Sequence, residues 1–202
     1  MNIIKKYIPI NTLRRPGSKL LGLKFIVCHD TGNINSTARA NVDWFIKSAN
    51  EIQASAHTFV DDKEIIECIP LDERALHVRN LVPVDNEIFG VDSNDYALGI
   101  ELCYFTDLER SKLAYNNYCE YIKGLCAESK LDPLKWVMGH YKLDPSRKTD
   151  PITAFKRIGK TWEDFIKDIT PIPQENIIVN RITDPVVKQI IRSIIKLLES
   201  LL

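Results

Sequence analysis

The sequence predicts a chain of the α/β (α+β) class, with a mixed central β-sheet flanked by helices. Three observations predict it. Short apolar runs at LKFIVCHD (23–30), YALGIELCYF (96–105) and KWVMGH (135–140) stop at polar or glycine residues, as buried strands do. Helical periodicity fills the gaps between them, over 37–50 and 107–130. Two further strand-like runs, SAHTFV and EIIECIP, are separated by Asp61, Asp62 and Lys63, the pattern of a hairpin.

The elements follow in order. LKFIVCHD ends in the loop residues TGN, which puts His29 at the C-terminal end of its strand. Ser36 or Thr37 can cap the helix over 37–50, whose Val42, Phe45, Ile46 and Ala49 share one face. Residues 79–95 mix proline, glycine, Asn and Asp without a period, so they form a long loop, a length that leans towards function. The strand at 96–105 is apolar apart from Glu101. Asp107 can cap a helix running to about Lys130, with Leu108, Ala114, Tyr118, Ile122 and Leu125 or Cys126 along one side. KWVMGH terminates in a second strand-end histidine, His140. Asp150 and Pro151 suit the N-cap and N1 positions of a helix continuing through Phe155, Ile158, Trp162 and Phe165. Three prolines in TPIPQENIIVNRITDP mark a linker, and VVKQIIRSIIKLLESLL is an amphipathic helix with Val187, Ile194 and Leu201 at heptad spacing. The expected organisation is a domain over 1–169, a linker over 170–185 and a helix over 186–202.

Composition narrows the function. The chain has 202 residues, 45% of them hydrophobic, which is enough to bury a sizeable core. Its 27 basic and 27 acidic side chains cancel, so no global field draws it to nucleic acid or anionic membrane. Five cysteines, an odd number, lie inside apolar runs without metal or disulfide spacing, which favours free thiols and synthesis in a reducing compartment. The N-terminus lacks an uninterrupted apolar stretch and a cleavage site, and no run of apolar residues is long enough to span a bilayer. No signal peptide and no stable membrane insertion are expected.

Chemistry concentrates at strand ends. Strands ending on one edge of a sheet present side chains to a common crevice, so His29 and His140 can converge there. Two histidines and one carboxylate form an established zinc set, and Asp150 can supply the third ligand if its loop folds back. Each residue has a plainer explanation: a hydrogen-bonded strand-end histidine, or an N-cap aspartate before Pro151. Lys148 would ordinarily be a solvated surface lysine. Glu101 lies in an otherwise apolar strand, and burying an unpaired charge is costly, so it faces a cleft, a partner or a bound water unless the strand is half-exposed. His57 and His77 suit core or cleft-wall positions, with substrate contact as a candidate role.

These segments, IVCHDTGN, SAHTFVDDKEIIECIPLDERALHV, LGIELCY and GHYKLDPSRKTDP, together resemble the type 2 N-acetylmuramoyl-L-alanine amidases of phage endolysins and bacterial autolysins, which share their fold with peptidoglycan recognition proteins. The resemblance covers roughly residues 10–168. It implies a zinc amidase domain in which His29, His140 and Asp150 bind Zn2+, Glu101 orients or deprotonates the attacking water, and Lys148 stabilises the oxyanion. Many relatives have cysteine where this chain has Asp150. The implied reaction is cleavage of the amide between N-acetylmuramic acid and L-alanine of the stem peptide, with bacterial peptidoglycan as partner. An endolysin would accumulate in the cytoplasm of the producing cell and act on the wall after release. The alternative is a noncatalytic peptidoglycan-binding module of the same fold. The C-terminal helix has two candidate uses, docking onto its own domain or forming a homo-oligomer.

Overall fold

A computed structural model describes residues 3–79, 89–171 and 183–199. The chain forms two compact units, Met1–Ile169 and Thr170–Leu202. In the first, six strands make one sheet: β1 (Ile3–Lys5), β2 (Phe25–Asp30), β3 (Thr58–Val60), β4 (Ile65–Glu67), β5 (Ala97–Leu102) and β6 (Val137–Gly139). Their order is β1-β4-β3-β5-β2-β6. Only the β3–β4 hairpin is antiparallel, so the sheet is mixed as expected. Around it lie α1 (Ala38–Lys47), α2 (Ser93–Tyr96), α3 (Leu108–Ser129), α4 (Pro133–Trp136), α5 (His140–Leu143), α6 (Ile152–Arg157) and α7 (Trp162–Ile169).

Alternation along the central strands assigns their two faces. Ile26 and Cys28 of β2, and Leu98, Ile100 and Leu102 of β5, join the main core with Tyr118, Ile122 and Leu125 of α3. Phe25, Val27 and Ala97 point the other way, into a smaller cluster with Val78 and Leu143. With a side-chain period of two, His29 follows Val27 and Glu101 follows Ala97 onto that second face. All six residues of β2 are buried, as expected of a central strand covered on both sides.

Local chemistry holds these elements in place. Thr37 caps α1, its hydroxyl accepting from the Ala40 amide, and Asp107 caps α3. Asp61 Oδ1 accepts from the amides of Lys63 and Glu64 in the hairpin turn, while its Oδ2 accepts from the first amide of α1 at 2.8 Å. The Tyr118 hydroxyl donates to the Ile100 carbonyl at 3.0 Å, tying α3 to β5. Such a buried bond contributes about 1 kcal/mol. All five cysteines are buried free thiols.

Several boundaries differ from expectation. β1 was not anticipated: three residues at a parallel edge carry too little pattern to register. Leu108 is exposed at the start of α3, where the helix has not yet reached the core. His140 begins the short α5, one residue beyond β6. The helix expected from Asp150 through Phe165 is two helices, broken where Gly159 takes φ +71°, a left-handed conformation that ends α6. Asp150 is not its N-cap, since Pro151 holds that position. Instead Asp30, at the end of β2, reaches across and accepts from the Ala154 amide in the first turn of α6 at 3.1 Å. Of the long loop, residues 80–88 lie outside the described residues, as do 172–182 of the expected linker and Leu201. In the second unit α8 (Pro185–Glu199) starts with Asp184 accepting from the amides of Val186 and Val187.

Candidate metal centre

Three adjacent strands deliver the site. His29 of β2 is in register with Glu101 of β5, and Cys28 is in register with Gly139, which sets His140 beside His29 across the next position. Asp150 arrives from the loop after α5. The amide of Tyr141 donates to the Asp150 carbonyl at 3.0 Å, so the loop closes on itself and returns Asp150 to the residue next to His140. Gly139 makes room for this closure. A Cβ there would come within 2.6 Å of the Tyr141 ring and 3.2 Å of Pro151.

His29 Nδ1 and His140 Nδ1 each lie 3.0 Å from the same carboxylate oxygen, Asp150 Oδ2. All three residues are buried, and their candidate ligand atoms fall within 4.8 Å of one another. A tetrahedral zinc with bonds near 2.0–2.1 Å separates its ligand atoms by about 3.3 Å, so this spacing is close to that of a ligand set.

The protons on the His29 ring follow from its neighbours. His77 Nε2 faces the Ala97 carbonyl at 3.3 Å, an oxygen that can only accept, so that nitrogen carries the proton and His77 Nδ1 is left as an acceptor. His29 Nε2 donates to it at 3.1 Å. His29 Nδ1 therefore presents an electron pair to Asp150. Burial lowers the His29 pKa to about 4, against the raising influence of Asp150, so the ring is neutral at neutral pH. Burial alone would raise the Asp150 pKa, and a value below the ordinary carboxylate range requires a proton or positive charge beside its oxygens, which the bare His29 Nδ1 does not supply. An electron pair facing an anion at 3.0 Å calls for a cation between them. The donors, two imidazoles and a carboxylate, suit zinc with a fourth position open. His140 Nε2 is buried with no partner among the described residues, so its outer edge lacks the support His29 receives.

Gly99 is what lets His77 approach. A Cβ at that position would lie 2.4 Å from the His77 ring. Its amide also donates to His57 Nδ1 at 3.0 Å, while His57 Nε2 donates to the Glu73 carbonyl at 2.9 Å.

A cleft of about 520 Å3 opens over these groups, lined by His29, His77, Glu101, Lys148 and Asp150 among others. Glu101 is only half-buried as a residue, yet its Oε2 is sealed from solvent with no hydrogen-bond partner among the described residues. Burial raises its pKa well above the usual value, with Asp150 and Asp30 adding to the effect and Lys148 opposing it. Lys148 Nζ lies 3.9 Å from Asp150 Oδ1. Residues two apart on this extended segment thus share a side.

Residues 19–153 match the Amidase_2 family, described as N-acetylmuramoyl-L-alanine amidase. The chain belongs to this family. BlyA, an N-acetylmuramoyl-L-alanine amidase of Bacillus subtilis (strain 168), is 34% identical over 145 residues, 68% of this chain and 39% of BlyA. CwlL, an N-acetylmuramoyl-L-alanine amidase of Bacillus licheniformis, is 27% identical over 180 residues, 80% of this chain and 50% of CwlL. The chain thus spans half or less of the length of these curated relatives. Among solved structures, the catalytic domain of XlyA superposes with a TM-score of 0.66 at 27% identity, covering 84% of this chain and 99% of that domain.

Within this Amidase_2 fold, the structure brings His29, Asp150, Glu101, Lys148 and His77 to one cleft, sets His140 buried against Asp150 behind it, and leaves His57 out of it. His57 is fully buried and both ring nitrogens are bonded to backbone, so it is not placed to touch a substrate. Its core reading is the one the geometry favours. Burial lowers the His57 pKa to about 4, below the unfolded value near 6.5. Between these limits the unfolded chain binds the extra proton, so stability is lost as pH falls from 6.5 towards 4. The expected loss through this one group is roughly 3 kcal/mol. Urea unfolding at pH 7 and pH 4.5 of the wild type and His57→Asn measures it, and an equal pH dependence in the two proteins would contradict the assignment.

Sequence reasoning missed Asp30, which joins β2 to α6, and Tyr104 and Arg147, which line the cleft. The adjacent pair His29-Asp30 at a strand end was the available signal for the first. It also missed Arg14, 1% exposed, whose guanidinium lies over Trp44 and Phe45 and donates to the Ser48 and Ala54 carbonyls.

Proposed function

We propose that the protein is a zinc-dependent amidase that hydrolyses the bond between the lactyl group of N-acetylmuramic acid and L-alanine of the peptidoglycan stem peptide. The observation that carries this reading is the convergence of His29 Nδ1 and His140 Nδ1 on Asp150 Oδ2 at the head of the cleft. His29, His140 and Asp150 would hold the metal. When bound, zinc supplies Lewis acidity that polarises a scissile carbonyl and makes a water acidic near pH 7 (about 7). Glu101, with its unpartnered oxygen and raised pKa, takes the proton from the attacking water and passes it on to the leaving amine. The Lys148 ammonium favours the negative charge that develops on the carbonyl oxygen. The likeness to BlyA and to a Bacillus subtilis endolysin structure (29% identity, TM-score 0.67, 84% of this chain and 99% of that one) supports a wall-lytic, endolysin-type role. Among the described residues no helix is long and apolar enough to cross a membrane. Release from the producing cell's cytoplasm is part of the same reading.

Digestion of purified peptidoglycan with and without a zinc chelator tests it. New L-alanine amino termini that disappear with chelator, without new reducing sugar ends, are expected. A folded protein that sediments with the wall and releases neither product would indicate the noncatalytic binding module.

His77 supplies a second test. His77→Phe removes the acceptor for the His29 Nε2 proton while filling similar space, so zinc affinity is expected to fall about 10–100-fold. Competition against a chelator measures this, and an unchanged affinity would show that His77 does not position His29.

A further inference from the structure

A second cleft, of about 470 Å3, adjoins the first and shares Lys148, Thr149 and Thr153 with it. Its floor is apolar. Tyr141 and Trp162 meet edge to face with ring centroids 5.9 Å apart, and Ile152 lies beside them. Its walls are strongly cationic: Lys148, Lys156 and Lys160 line it against one carboxylate, Glu163. The Lys142 ammonium adds to them, 5.7 Å from the Trp162 ring centre and 5.9 Å from that of Tyr141. These lysines are not equivalent. Lys160 is paired with Asp168 at 2.7 Å, and Lys148 faces Asp150. Lys156, exposed in the last turn of α6, makes no ion pair among the described residues.

On the other side, the main cleft continues into a third hollow through Thr31, Phe45 and Glu101. Apart from Glu101 the lining there carries no charge, with Asn33 and Asn41 near the half-exposed Trp44. The two extensions therefore differ in charge. A substrate whose scissile amide joins a neutral sugar to an anionic peptide has the matching asymmetry. An aromatic face with amide groups suits the sugar, and an apolar floor ringed by ammonium groups suits methyl-bearing residues with free carboxylates.

We propose that the Tyr141–Trp162 cleft is the subsite for the carboxylate-bearing peptide portion of the substrate, with Lys156 and Lys142 as its charge-recognising residues, an inference that rests on the amidase reading above. The cleft orients the scissile bond so that the leaving amine departs towards α6 and α7. Lys156 and Lys142 act on binding and specificity, away from the reacting atoms.

The test uses the full zinc-loaded chain and two synthetic substrates: N-acetylmuramoyl-L-Ala-γ-D-Glu-L-Lys with free carboxylates, and the same compound with both carboxylates amidated. The wild type is expected to show a lower KM for the charged substrate. Lys156→Gln should raise that KM about fivefold, leave kcat within twofold and leave the amidated substrate unaffected. Lys142→Gln combined with it should raise the KM further. A wild type indifferent to amidation, or a variant that changes both substrates equally, overturns the proposal. Calorimetric binding of the released tripeptide separates this from failure of the amidase reading. If the wild type cleaves neither substrate but binds the tripeptide in a Lys156-dependent way, the anionic subsite stands and the hydrolysis does not. Absence of both cleavage and binding removes the subsite as well.

Discussion

Asp150→Ala is expected to lower zinc affinity by more than about 100-fold, beyond what loss of an outer supporting group costs, and to abolish hydrolysis with it. Both histidine nitrogens face one oxygen of this carboxylate at 3.0 Å, so its removal takes away the anionic member of the set and the atom the other two share. The competing explanation of Asp150 as a helix cap predicts a different result, a loss of roughly 1 kcal/mol in stability with metal binding intact. The structure gives that explanation no support, because Pro151 holds the N-cap and Asp30 bonds the Ala154 amide. Metal analysis after gel filtration, with circular dichroism as a check on folding, distinguishes the two. Full zinc content in the variant would remove Asp150 from the ligand set.

Glu101→Gln should retain zinc and lose about 10²–10⁴-fold in kcat. The amide nearly matches the carboxylate in shape, so the strand and its register with His29 persist, while the group that accepts the proton is gone. Glu101 has no partner among the described residues for its buried Oε2, so no structural bond is lost through that oxygen. A variant with kcat within about fivefold of wild type would show that another group is the base. Loss of bound zinc would instead make Glu101 a support for the ligands.

Much of this was legible in the chain itself, for identifiable reasons. The strands β2 and β5 are near-continuous apolar runs, and such runs need no tertiary information to be recognised. The caps at Thr37 and Asp107 follow from side chains that bond amides within three residues. His29, Glu101 and His140 stood out because each interrupts or terminates an apolar segment. Boundaries that depend on a partner were less legible. β1 exists because β4 is there to pair with it, and the break at Gly159 competes with a helical pattern that runs straight across it.

What the sequence determined alone is therefore the local chemistry: which segments are strands, which residues are charged or imidazole among apolar neighbours, and that a carboxylate and a lysine follow His140 closely. Only the tertiary structure decided how those groups are used. Sheet order places β2 between β5 and β6, which sets three side chains on one face. The bond from Tyr141 to Asp150 turns a cap-like aspartate into a partner of both histidines. Packing against Gly99 separates two similar histidines, sealing His57 in the core and leaving His77 to orient His29. The physical reason is range. Propensity and capping act over a few residues, whereas the His29–His77 hydrogen bond and the shared carboxylate join residues 48 and 121 positions apart, and nothing short of the folded sheet brings them within 3.1 Å.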